Sequence, residues 1–432
     1  MAAKSRLLRI IKSESLLQSQ NTKHIMRKLF SFINGNKMKK AVLLSIFIVV
    51  IILDLKAQES KGSDFVACGG IWKQISAFFT PLKEYKDNYG PFRSPLKFYD
   101  GRTVKTANEW KERRKEILAQ WNKMMGEWPP LLTYQQMQFL DSTRRDGFTQ
   151  YKIRFYWTPN EETNGYLLIP DGNGKKPAVI TVFYEPETAV GLGTSERTKA
   201  TCDFAYQLAK RGYVTLSIGT TQATKANTFS LYYPNIDNAQ VEPLSMLAYA
   251  AANAWYVLSK IPEVDCSKIG IMGLSFGGKW AMFASCLFDK FACAVWSDPG
   301  IVFDENREAV NYWEPWYLGY YPKPWRKRGM LTQQNPARGL YPRLIEEGYN
   351  LQEIHALMAP RPFLVSGGSE DTPKRWIPLN HTIKVNKLLG YENRVAMTNR
   401  PTHLPTVRSN EEAYLFFDYF LKCNGIDKGN IK

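Results

Sequence analysis

From about residue 136 onward, short apolar runs alternate with longer stretches whose apolar positions recur at helical spacing. Phe148 to Trp157 and Gly165 to Ile169 read as two strands of an antiparallel hairpin around Pro159-Asn160-Glu161. Lys176 to Val182 is nearly continuous in apolar residues, as a strand covered on both faces must be. A helix near Cys202 to Arg211, a strand at Tyr213 to Ile218 and a helix at Val241 to Lys260 follow. Next come a strand at Lys268 to Met272, a helix at Gly278 to Ala284, and strands at Phe291 to Val295, Pro362 to Val365 and Arg394 to Thr398. Strands alternating with helices predict an α/β fold, a doubly wound, mostly parallel sheet with helices on both faces. Residues 58–135 form an N-terminal extension. Its clearest element is a helix over Asn108 to Met125, with Trp110, Ile117, Trp121 and Met124 on one face and a stop at Gly126 and Pro129-Pro130. Residues 136–432 form the main domain, interrupted at about 299–360 by an irregular, aromatic-rich insertion.

The start of the chain follows a different pattern. Ala41 to Leu53 is apolar throughout except Ser45, with Lys37, Lys39 and Lys40 before it and Leu55-Lys56-Ala57-Gln58 after it. A charged segment, an apolar segment and small residues in that order predict a secretory signal within 1–57, starting naturally at Met38. The run is short for a membrane-spanning helix, which needs about 20 residues. The expected destination is therefore secreted or periplasmic, with an uncleaved membrane anchor as the alternative. This leader also accounts for much of the charge. Eleven Lys and Arg stand there against Glu14 and Asp54, nine of the seventeen net positive charges of the chain. The remainder is an ordinary basic surface, without the basic helix that nucleic-acid binding would call for. Six cysteines are widely scattered with no C-x-x-C pair, so buried thiols are the default and no pairing can be assigned. No metal or cofactor site is expected.

The chemistry is carried by Gly273-Leu274-Ser275-Phe276-Gly277, a G-x-S-x-G pentapeptide between an apolar strand and a helix. A strand, a sharp turn and a helix are what a nucleophile elbow requires, because the turn forces the serine into strained angles and demands small neighbours. Ser275 is the expected nucleophile, with the Phe276 N–H facing a developing oxyanion and a second donor at Tyr184, before Pro186. Of the four histidines, His24 lies in the leader, and His355 and His381 lie in helical stretches as packed or capping residues. His403 lies in the loop Arg400-Pro401-Thr402-His403-Leu404-Pro405 after a strand, and is the expected general base. Two acids compete to orient it. Asp371 follows the strand at 362–365 and is favoured; Asp298, after the strand at 291–295, is the alternative, and Glu370 is a third. All of these residues fall just after predicted strands and so converge on one sheet edge, where ligands bind in such folds.

These features resemble the α/β-hydrolase superfamily over about 136–432. Within it, Gly273-x-Ser275-x-x-Gly278-Lys279, an acid at Asp298, a tryptophan at Trp376 and the segments Arg113 to Leu118 and Met125 to Pro129 resemble secreted carbohydrate esterases of the acetylxylan-esterase and glucuronoyl-esterase kind. The resemblance implies that Lys279 contacts sugar hydroxyls and that Trp376 contacts the sugar ring. Glucuronoyl esterases place arginine directly after the serine, where this chain has Phe276, which weighs against uronate esters. Trp313 and Trp316 in the insertion are further candidates to line a sugar cleft. The resulting expectation is a serine esterase that removes acetyl-like acyl groups from plant or algal polysaccharides, or cleaves their esters. A prolyl-oligopeptidase-like peptidase and a catalytically silent glycan-binding protein are the alternatives.

Overall fold

The computed structural model describes residues 68–195, 198, 200–220 and 228–423; the leader lies outside them. One nine-stranded sheet organises the chain. Its strands are β1 (Gln138–Arg145), β2 (Phe148–Thr158), β3 (Glu161–Pro170), β4 (Lys176–Phe183), β5 (Val214–Gly219), β6 (Val264–Leu274), β7 (Cys293–Ser297), β8 (Phe363–Gly367) and β9 (Val395–Asn399). They lie in the order β1-β2-β3-β5-β4-β6-β7-β8-β9. The first three are antiparallel meanders, β3 pairs antiparallel with β5, and every pairing from β5 to β9 is parallel. The predicted hairpin is the β2–β3 pair. Strand β1 escaped prediction because every residue from Gln138 to Arg144 is exposed, which leaves no apolar alternation to detect.

The parallel strands are apolar on both faces because each face carries its own core. Ala178, Ile180 and Val182 of β4, Ile269 and Ile271 of β6, and Trp296 of β7 point into a large cluster. It is covered by α3 (Pro243–Ser259) and α4 (Phe276–Leu287). Val179 of β4, Leu274 of β6, Val295 of β7 and Leu364 of β8 point the other way. There they meet α2 (Phe204–Lys210) and α8 (Val407–Phe417). This period-two division is the physical content of a doubly wound sheet.

In the N-terminal extension, α1 (Ala107–Met125) starts with a capping box between Thr106 and Glu109. It buries Trp110, Ile117, Trp121 and Met125, with Met124 only partly covered. Arg113 on the same face is fully buried and pairs at 3.0 Å with the buried Glu353 of α6 (Gln352–Ala356), tying α1 to that helix. The insertion is less loose than its sequence suggests: it carries the short helix α5 (Leu340–Glu346), and Tyr312, Trp313, Tyr317 and Leu318 belong to the main core. Buried Arg326 binds buried Glu314 at 2.8 Å within it. Cys68 and Cys423 form a disulfide that joins the first described residue to the last. Cys202, Cys286 and Cys293 are buried thiols, and Cys266 is exposed.

Candidate active site

Ser275 stands between β6 and α4 with φ 58° and ψ −114°, a conformation that costs a non-glycine residue ~1–3 kcal/mol. The packing around it shows why its neighbours are small. A Cβ on Gly273 would lie 2.3 Å from the Gly277 carbonyl oxygen, and one on Gly277 would lie 2.0 Å from that of Val182. The turn is pinned by the Ser275 N–H donating to the Ser297 carbonyl at 2.8 Å. The elbow is therefore present as a geometric fact.

His403 lies in the loop between β9 and α8, and its Nδ1 is 2.7 Å from Asp298 Oδ2. A carboxylate only accepts, so the proton sits on Nδ1 and Nε2 is left as the basic nitrogen. Buried Arg400 fixes the loop by donating to the backbone carbonyls of His403 and Leu404 on one side and of Ser366 on the other. Sequence reasoning missed Arg400, although it stands three residues before the histidine.

The expectation that Asp371 holds the histidine is corrected here. Asp298 takes that place, in the loop after β7, while the Asp371 carboxylate accepts from the Gly300 and Ile301 N–H groups at 2.8 and 2.7 Å. The relation is reciprocal: Asp298 Oδ1 accepts from the N–H groups of Gly368, Asp371 and Glu370 at 2.6, 2.8 and 3.1 Å. Each aspartate thus clamps the backbone of the other's loop, and only one of them faces the imidazole. Burial opposes ionisation of Asp298, but the hydrogen bonds from His403 and the Asp371 N–H outweigh it and hold its carboxyl below the usual range. Asp371, enclosed and beside that negative charge, is pushed up to about 6, first by burial and then by Asp298. The Glu370 carboxylate lies near Asp298 and His403 but accepts instead from the Ser369 hydroxyl at 2.8 Å. His381 Nε2 donates to the Tyr89 carbonyl oxygen at 2.9 Å. His355 is fully buried against Trp296, and burial pushes it down to about 3.

Two cavities meet at Ser275. The first, of about 480 Å³, is lined by His403, Glu185, Glu187, Thr188 and Thr194 as well as the serine. The second, of about 380 Å³, lies under the insertion and is lined by Lys279, Trp316, Tyr317, Phe229 and Arg328. Tyr184 and Glu185 line both. The Phe276 ring is buried and stacks on Tyr184 with centroids 4.7 Å apart.

The other predicted contacts divide. Trp316 lines the second cavity. Trp313 does not: it is wholly buried, with Nε1 donating to the Gly329 carbonyl, because this part of the insertion packs into the main core. Trp376 likewise packs into the core at the start of α7 (Trp376–Leu388). Lys279 reaches the second cavity but is 2% exposed, and its ammonium donates to the carbonyls of Pro299 and Ala309 at 2.6 and 3.0 Å. Burial pushes it down to about 8, against the pull of Asp371.

No family model and no curated protein matches the chain. Solved structures do. A glucuronoyl esterase from Solibacter usitatus superposes with a TM-score of 0.60 at 16% identity, over 78% of this chain and 98% of its own. The chain has the α/β-hydrolase fold. A carbohydrate esterase family 15 glucuronoyl esterase from Caldicellulosiruptor kristjansonii is similar at a TM-score of 0.54 and 20% identity, over 79% and 93%. A promiscuous esterase of that same family from a marine bacterial metagenome gives 0.55 at 16%, over 79% and 99%. At these identities the likeness speaks for the fold, and the chemistry rests on the residues of this chain.

Proposed function

We propose that the protein is a serine esterase acting on ester bonds of plant or algal polysaccharides. The observation that carries this reading is His403 Nδ1 at 2.7 Å from Asp298, on the same sheet edge and the same cavity wall as the strained Ser275. In this reading Ser275 Oγ attacks the ester carbonyl as His403 Nε2 takes its proton, and Asp298 orients and stabilises the imidazolium. The Phe276 N–H and a donor at Tyr184 receive the negative charge on the carbonyl oxygen. Collapse of the adduct breaks the bond to the alkoxide, which takes the proton from His403. Water then repeats the sequence on the acyl-enzyme.

The proton must reach the leaving oxygen from His403, so the alcohol half belongs in the cavity that His403 lines. The acyl half then belongs in the second cavity. At about 380 Å³ that space is far larger than an acetyl group, given about 30 Å³ for one water, which favours a bulkier acyl half. Export through the leader is part of the proposal, and a disulfide suits an oxidising compartment.

Ser275→Ala is expected to abolish turnover of an aryl acetate, acetylated xylan and uronate methyl esters while the circular dichroism spectrum is kept. Turnover equal to wild type in that variant would sink the proposal, and the panel ranks the acyl groups.

A further inference from the structure

Two arginines of the insertion stand two positions apart and are used differently. Arg326 is buried, its guanidinium committed to Glu314 and to the carbonyls of Gly329, Met330 and Asn335. Arg328 is exposed on the wall of the cavity assigned above to the acyl half, and it holds no hydrogen bond or ion pair to a described residue. Its charge is felt inside that cavity, where it opposes the upward push that burial exerts on the hydroxyls of Tyr184 and Tyr317. The other cation there, Lys279, is already spent on two carbonyls that anchor the insertion. The cavity assigned to the alcohol half differs: Glu187 lines it alone, Glu185 stands at the junction of the two, and no Lys or Arg lines it among the described residues.

We infer that Arg328 is a specificity-determining residue that binds an oxyanion substituent, a carboxylate or a sulfate, on the acyl half of the ester. An uncommitted guanidinium offers a planar fork suited to either group. The rings of Trp316 and Phe229 on the same wall give a sugar-sized acyl group an apolar surface. Glu187 lines only the other cavity, which holds no Lys or Arg among the described residues, so the substrate is read as polarised, with an anionic acyl half beside Arg328 and a neutral alcohol half. This inference rests on the esterase reading and on its assignment of the two halves.

The test uses esters of one alcohol whose sugar-acid acyl halves are neutral, carboxylated or sulfated, with wild type, Arg328→Ala and Arg328→Lys. Wild type is expected to favour a charged ester at least tenfold in kcat/KM, chiefly through KM, with the preference shrinking as salt is added. Arg328→Ala should bring the ratio close to one and Arg328→Lys should recover part of it; the charged ester that loses most identifies the group read. A ratio unchanged by Arg328→Ala, or a wild-type preference for the neutral ester, overturns the inference. Calorimetry on Ser275→Ala protein with free glucuronate and a sulfated monosaccharide separates the two readings. Binding that Arg328→Ala abolishes supports the inference even where wild type turns over no ester, a result that would count against the esterase reading alone. Binding indifferent to Arg328→Ala overturns it.

Discussion

At the scale of single residues, the aspartate pair invites the sharpest comparison. Asp298 bonds the imidazole, whereas Asp371 holds backbone N–H groups of the loop that carries Asp298. Asp298→Asn should leave the fold intact and lower kcat by on the order of 10³- to 10⁴-fold, because the imidazole loses the partner that sets its tautomer. Asp371→Ala should instead lower the melting temperature, by about 1–3 kcal/mol of stability, since two buried donors are left unpaired. A kcat loss in Asp371→Ala as deep as that in Asp298→Asn would reverse these roles. The strained turn at Ser275 and the loop position of His403 were legible in the sequence because their signals are local: small residues at fixed offsets, and a histidine after a strand. Which aspartate meets His403 was not legible. Asp298 and Asp371 occupy equivalent places after neighbouring strands, and only the reciprocal clamp between their loops decides which one turns toward His403. Trp313 and Trp376 were misplaced for a related reason, since an aromatic in an irregular segment reads the same whether it faces a cleft or fills a core.

At the scale of elements, α1 packs into the main core by a face whose periodicity was plain in the sequence. Its buried Arg113 was not, because a charge among apolar positions reads as the solvated side of a helix. Its partner Glu353 lies 240 residues further along. Arg113→Met leaves the Glu353 carboxylate buried and unpaired, and should cost about 3–5 kcal/mol in urea denaturation. The double variant Arg113→Met with Glu353→Leu should recover most of that loss. A double variant as unstable as the single one would show that shape, rather than charge, is what the pair supplies. Strand β1 makes the converse point: it is held by its register on β2 and has no buried side of its own.

At the scale of the whole molecule, the Cys68–Cys423 bond closes a loop of 355 residues over a sheet whose two faces are otherwise sealed by separate cores. Pairing at such separation depends on where the sheet brings the ends, so six scattered cysteines could not reveal it. Reduction of the native protein should lower its midpoint of thermal unfolding by several degrees, about 2–5 kcal/mol. Mass spectrometry after thiol alkylation should find Cys266 modified in the native protein, and Cys68 and Cys423 modified only after reduction. Alkylation of Cys68 without a reductant would exclude the bond.

The meeting of two cavities at one serine also sets the order in which molecules come and go. With the roles proposed here, the alcohol departs first, through the cavity beside His403, while the acyl half stays tethered in the other. The incoming water must use the vacated side, because the base faces only that way. A space shaped for one sugar hydroxyl admits another as readily. Where glycan is crowded and water activity is low, the same geometry would hand the acyl group from one chain to the next instead of releasing it.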